Sequence, residues 1–171
     1  TDPKGRLELM DQDGISAAVF FPPQRTMIYF MFLDDKEFAL AGMQAYNDFI
    51  TDWVGFDRSR LGGIWQVPAT GIDDAVAELR RARENDAVGM GLATWPSGEF
   101  LLSPEDDAFW EVAEELRMPI HIHVGLTPPQ YKTRKVAAKK GGAEQLVAFA
   151  TTMSRMPTLF AEFIFSGVFE R

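Results

Sequence analysis

His121 and His123 are the only two histidines in a chain of 171 residues, and they stand two apart in the apolar run MPIHIHVG (118–125). Neutral imidazole is the commonest protein ligand for zinc and similar divalent ions. The chain has no cysteine, which removes thiolate metal sites, cysteine nucleophiles and disulfides from consideration. In an extended strand residues i and i+2 share a face. His121 and His123 therefore project together, with Ile120, Ile122 and Val124 on the opposite face. Two readings stay open on this pattern: a metal-binding pair, or two hydrogen-bonded core histidines.

The elements that must position this pair alternate between helix-like and strand-like. GRLELMDQDG (5–14) reads as a short amphipathic helix with Leu7 and Met10 on one side and Gly14 as its stop. ISAAVFFPP (15–23) reads as an apolar strand ended by two prolines. Residues 34–56 predict a helix whose apolar stripe is Phe38, Ala41, Ala45, Phe49 and Trp53. LGGIWQVPA (61–69) is the next strand, and 71–87 the next helix, capped by Asp73 or Asp74 and buried along Ile72, Val76 and Leu79. VGMGLAT (88–94) is a strand. The helix at 103–118 opens with Ser103 as cap, Pro104 at its first position and Asp106 three after the cap, and buries Phe109, Val112 or Ala113, and Leu116. PIHIHVG follows as a strand, then a basic loop, then residues 142–169, helical at first. Strands apolar on both faces and separated by helices indicate a parallel sheet. An open doubly wound sheet and part of a (β/α)8 barrel both fit.

In either architecture functional groups gather at the C-terminal ends of the strands. His123 lies at that end, and His121 one layer deeper. Trp95, just past the strand 88–94, stands where it could line a substrate pocket or simply pack. Gly89 and Gly91 approach a dinucleotide-loop spacing, but Thr94 holds the third glycine position and no helix begins there, so packing is their better account. Lys132, Arg134, Lys135, Lys139 and Lys140 fall in the loop after the histidine strand, where they could draw in a carboxylate or remain solvated loop charges. Tyr29, Phe30 and Phe32 suit a mouth wall, an oligomer contact or ordinary packing. Asp34–Asp35 and Asp106–Asp107 sit at helix starts, where the helix dipole favours them.

The net charge of −8 argues against a nucleic-acid partner, which would require a basic surface. No apolar run reaches membrane-spanning length and no signal-peptide pattern opens the chain, so a cytoplasmic protein with no membrane partner is expected. There is no Gly-x-Ser-x-Gly elbow to support a serine hydrolase.

AYNDFITDW (45–53), RLGGIWQVP (60–68), DDAVAELRRARENDAVGM (73–90), DDAFWEVAEELRMPIHIHVG (106–125) and FSGVFER (165–171) together resemble the amidohydrolase superfamily. The likeness is to its amidohydrolase-related group, which includes aminocarboxymuconate-semialdehyde decarboxylase. It implies an α/β fold, the (β/α)8 TIM barrel, with only about strands 2 to 5 of eight in this chain. Residues 1–171 would then be a single partial barrel domain, truncated or incompletely represented at both ends. It also implies one divalent metal ion at the C-terminal mouth, most simply zinc, with manganese or magnesium as alternatives. His123 corresponds to the histidine ligand that ends the fifth strand. His121 then takes an inward second layer, supporting the site or filling the barrel. No His-x-His precedes the first strand here, and a catalytic zinc site needs about three protein ligands.

The function implied is a metal-dependent hydrolase acting on a small carboxylate-bearing or cyclic substrate. A non-oxidative decarboxylase of the same family is the alternative. A further alternative is a catalytically inactive, self-associating fragment, since an unclosed sheet has two unpaired edges. A homo-oligomer is the expected assembly.

Overall fold

A computed structural model describes residues 2–31, 33–98, 101–122 and 156–170. Helix α1 (Pro3–Gln12) starts where the Asp2 carboxylate accepts from the Gly5 N–H at 2.6 Å, with Pro3 in the first turn. It stops before Gly14, whose φ of +70° suits glycine. Met10 is its buried contact. Strand β1 (Ala18–Phe20) is three residues long, shorter than the apolar run predicts. After Pro22–Pro23 the chain forms α2 (Gln24–Met31), a helix that periodicity alone does not announce.

Helix α3 (Lys36–Val54) is capped by Asp35, whose side chain accepts from the Phe38 N–H at 2.9 Å. Its buried line is Ala39, Met43, Asn47, Ile50 and Val54, which corrects the predicted stripe. Phe38 and Phe49 are 55% and 58% exposed, and Ala41 and Ala45 also face solvent. Trp53 is partly buried, edge-on to Phe20 at 4.8 Å. The cause is Asn47. It reads as a solvent-facing residue, yet its amide pairs with the end of the next strand, and that pairing sets the helix's rotation.

Strand β2 (Leu61–Gln66) precedes α4 (Ile72–Glu84). Neither Asp73 nor Asp74 caps α4; Gly71 holds the cap position, with no side-chain cap bond, and Asp74 instead accepts from the Thr70 hydroxyl. The helix buries Ala75, Glu78, Leu79 and Ala82, with Ile72 and Val76 only partly covered. Strand β3 (Gly89–Leu92) leads to a 3-10 turn (Pro104–Asp106) and α5 (Asp107–Glu115). The Ser103/Asp106 capping box forms as the sequence predicts, and Phe109, Val112 and Ala113 are buried. Strand β4 (Ile120–Ile122) and α6 (Met156–Phe165) complete the described elements.

The four strands pair in parallel in the order β1-β2-β3-β4. This sequential order has no reversal, the mark of a doubly wound sheet. The sheet also curls. At about 4.8 Å per strand a flat sheet would hold β1 and β4 roughly 14 Å apart, yet Phe21, one residue past β1, meets the His121 ring of β4 at 5.4 Å. The described residues form half of a (β/α)8 barrel, with four strands and their helices. No helix of the described residues is long and apolar enough to cross a membrane.

Candidate active site on the inner face of the half-barrel

Register and contacts sort the strand residues onto two faces. Trp65 donates its indole N–H to the Thr51 hydroxyl of α3 at 2.9 Å, and a Cβ on Gly63 would touch Ile50 at 3.0 Å. The face of β2 carrying Leu61, Gly63 and Trp65 is therefore the outer, helix-covered one. Pairing of Trp65 with Met90, and of Met90 with Ile120, extends it to Met90, Leu92, Ile120 and Ile122. The inner face then carries Val19, Gly62, Ile64, Gln66, Gly89, Gly91 and His121.

His121 is thus placed on the barrel interior, as alternation predicts. It is partly buried, with Phe21 edge-on to its ring. Gly89 makes the space it occupies: a Cβ there would lie 2.6 Å from His121 Nε2 and 3.0 Å from Ile64 Cδ1. A Cβ on Gly91 would meet Ile64 Cγ2 and Met27 Cε, each at 3.5 Å. The packing account of both glycines matches this geometry. His123 and the lysine- and arginine-bearing loop 131–140 lie outside the described residues, as do Phe32 and the start of the helix predicted from 142. Among the described residues no three His, Asp or Glu side chains converge as a metal site.

Trp95 is 2% exposed and sits edge-on to Trp110 of α5 at 6.4 Å and Phe163 of α6 at 5.3 Å. These contacts tie the loop after β3 to two helices and bury the Trp95 ring in the core. Tyr29 is exposed and contacts Phe30 at 5.3 Å, and Phe30 in turn meets Phe38. Asp35 caps α3. Asp106, fully buried, accepts from the Ser97 N–H at 2.8 Å and the Ser103 N–H at 3.0 Å, tying the loop after β3 to the start of α5. A cleft of about 810 Å³ opens beside α5, walled by Trp110, Phe163 and Phe169. It adjoins Met118 and Pro119 at the start of β4, away from the strand ends where barrel chemistry gathers.

Gln66, which composition and spacing pass over, completes the inner face at the end of β2, and Asn47 of the covering helix α3 fixes its backbone. Gln66 is fully buried; its N–H donates to Asn47 Oδ1 at 2.7 Å and its carbonyl accepts from Asn47 Nδ2 at 3.1 Å. Asn47 Nδ2 also donates to Glu78 Oε1 at 2.7 Å. Glu78, 1% exposed, accepts from Arg81 Nη2 at 2.6 Å and Nε at 2.9 Å, and from Gln44 at 3.3 Å. Arg81 also pairs with Asp48 and lies over the Trp65 ring at 4.4 Å. Its hydrogen bonds to Glu78 raise the guanidinium's affinity for its proton further. Beside this network, burial pushes the Tyr46 phenol above its ordinary range. The Tyr-Asn pair in AYNDF is the sequence signal that locates the network.

The sequence profile of the amidohydrolase family matches residues 1–165. No functionally curated protein matches the chain. Among solved structures it is similar to an IDCase of Metarhizium anisopliae in apo form, with a TM-score of 0.75 and 18% identity, over 99% of this chain and 44% of that one. It is similar also to 5-carboxyvanillate decarboxylase from Novosphingobium aromaticivorans with bound manganese, with a TM-score of 0.64 and 22% identity, over 81% of this chain and 39% of that one. A third is 2,6-dihydroxybenzoate decarboxylase from Rhizobium, with a TM-score of 0.61 and 22% identity, over 76% of this chain and 43% of that one. The chain spans less than half the length of each. At these identities the likeness establishes the shared barrel fold.

Proposed function

The chain belongs to the amidohydrolase family, and from that premise we propose that it forms the strand 2 to 5 portion of a metal-dependent, non-oxidative decarboxylase acting on a small hydroxylated aromatic acid. The observation that carries the reading is the His121 imidazole turned into a curled, parallel half-barrel. Strand alternation continued one pair further gives His123 the same face, at the C-terminal end where barrel enzymes keep their chemistry. Two of the similar structures are named as decarboxylases of aromatic acids, and one holds manganese. We read residues 1–171 as one partial domain.

In this proposal His123 is one ligand of a divalent ion, and the remaining ligands come from barrel segments outside this sequence. Such an ion, when bound, polarises an oxygen of the substrate. His121 lies one layer below, where it supports the orientation of the ligand above it. Gly89 leaves room for the His121 ring, and Gly91 for the ends of the Ile64 and Met27 side chains. The ion is zinc or manganese: imidazole suits the first, and the second is the metal in the similar structure.

Hydrolysis remains the second reading, favoured by the chemistry of the family's name. The two part in one assay of the full-length protein loaded with manganese or zinc. Metal-dependent release of CO₂ from 2,6-dihydroxybenzoate, lost on chelation, is the expected result. Metal-dependent hydrolysis of cyclic amides without CO₂ release moves the assignment to the second reading, and neither activity overturns both.

A further inference from the structure

Resting on that reading, we propose that Gln66 is a specificity-determining residue whose Oε1 accepts a hydrogen bond from a hydroxyl group of the substrate. The argument begins with the direction of the carboxamide. Gln66 Nε2 donates to the Met27 carbonyl at 3.2 Å. A carbonyl only accepts, so the NH₂ end must face Met27 and the oxygen must face away. Among the described residues Oε1 is buried and has no hydrogen-bond partner. A buried acceptor left in this state costs free energy, and such exceptions in a folded interior call for a partner.

The position of that oxygen is held, not incidental. Asn47 binds both the N–H and the C=O of Gln66, and Glu78 and Arg81 hold Asn47 from behind. Gln66 pairs with Gly91, which in turn pairs with His121. The residue between them has no side chain, and the space over it is met by Ile64 Cγ2 and by the end of the unbranched, adaptable side chain of Met27, each 3.5 Å from where a Cβ would stand. A ligand that displaces Met27 meets a fixed acceptor on one side and the imidazole strand on the other. At neutral pH a carboxylate has no proton to offer an amide oxygen, whereas a hydroxyl does. The group recognised is therefore the substrate's hydroxyl, and its carboxylate goes elsewhere. A site built to pair a hydroxyl discriminates strongly against the analogue lacking it.

The test uses the metal-loaded full-length protein and two ligands, 2,6-dihydroxybenzoate and benzoate, with affinities measured by calorimetry alongside metal content and melting temperature. The unaltered protein is expected to prefer the dihydroxy acid at least tenfold. Gln66→Met, near-isosteric and apolar, is expected to erase that preference while keeping benzoate affinity and metal content. Should Gln66→Met fail to fold, Gln66→Asn withdraws the acceptor by one methylene and is expected to reduce the same preference. A preference unchanged in the folded variants overturns the inference and leaves the decarboxylase reading standing. Absence of any preference in the unaltered protein overturns it as well. Retained metal binding and CO₂ release would then show that only the role of Gln66 has failed, and their loss that the functional reading has failed with it.

Discussion

On the outer face of the sheet, Leu61, Trp65, Met90 and Leu92 are almost wholly buried under α3, α4 and α5, and Trp65 has a side-chain partner for its one polar atom. On the inner face, Val19 is 55% exposed, Gly62, Gly89 and Gly91 contribute no side chain, and Gln66 Oε1 is buried without a partner among the described residues. The same four strands thus carry two different kinds of surface. Burial of apolar area on one side stabilises the fold. The other side gives up packing for space and for polar groups that are held in place but not fully paired. Such a division is what a catalytic interior requires of its scaffold.

Substitutions on the two faces should separate accordingly. Phe109→Ala, in the outer core with its ring fully buried against Trp110, is expected to cost about 3–5 kcal/mol in urea unfolding. A cost near zero would mean that α5 does not anchor the sheet. Asn47→Ala strips the partners from Gln66 N–H and C=O and one donor from Glu78. It should cost about 3 kcal/mol, since each buried group left unpaired costs roughly 1–3 kcal/mol. Gly89→Ala places a Cβ 2.6 Å from His121 Nε2. We expect it to cost about 1–2 kcal/mol by overpacking and to move the His121 ring resonances in an NMR spectrum. Unmoved resonances would place the imidazole elsewhere. Val19→Ala on the exposed inner face should stay within about 0.5 kcal/mol in this chain. A larger cost in a longer protein whose barrel closes over Val19 would sharpen the contrast between the faces.

What could be read from the sequence was what depends on near neighbours. Ser103, Pro104 and Asp106 announce the start of α5 because a capping box is complete within four residues. Strand alternation puts His121 on the inner face, and the incomplete dinucleotide pattern leaves packing as the account of Gly89 and Gly91. The rotation of α3 was not legible, because Phe38 and Phe49 form an apolar stripe as regular as the buried one. Only the pairing of Asn47 with Gln66, across the helix–sheet boundary, decides between them. Gln66 is not legible for the same reason: a glutamine ending an apolar strand becomes a candidate site residue only once its bond to Met27, and an oxygen without a partner among the described residues, are both known. Trp95 stands at the expected end of β3, but Trp110 and Phe163, from elements distant in sequence, draw it into the core.

Metal analysis of the full-length protein and its His123→Ala and His121→Ala variants tests the central claim most directly. The account predicts that His123→Ala loses most of its bound divalent ion while His121→Ala retains near-stoichiometric metal, bound more weakly. Metal content in His123→Ala equal to that of the unaltered protein would contradict it.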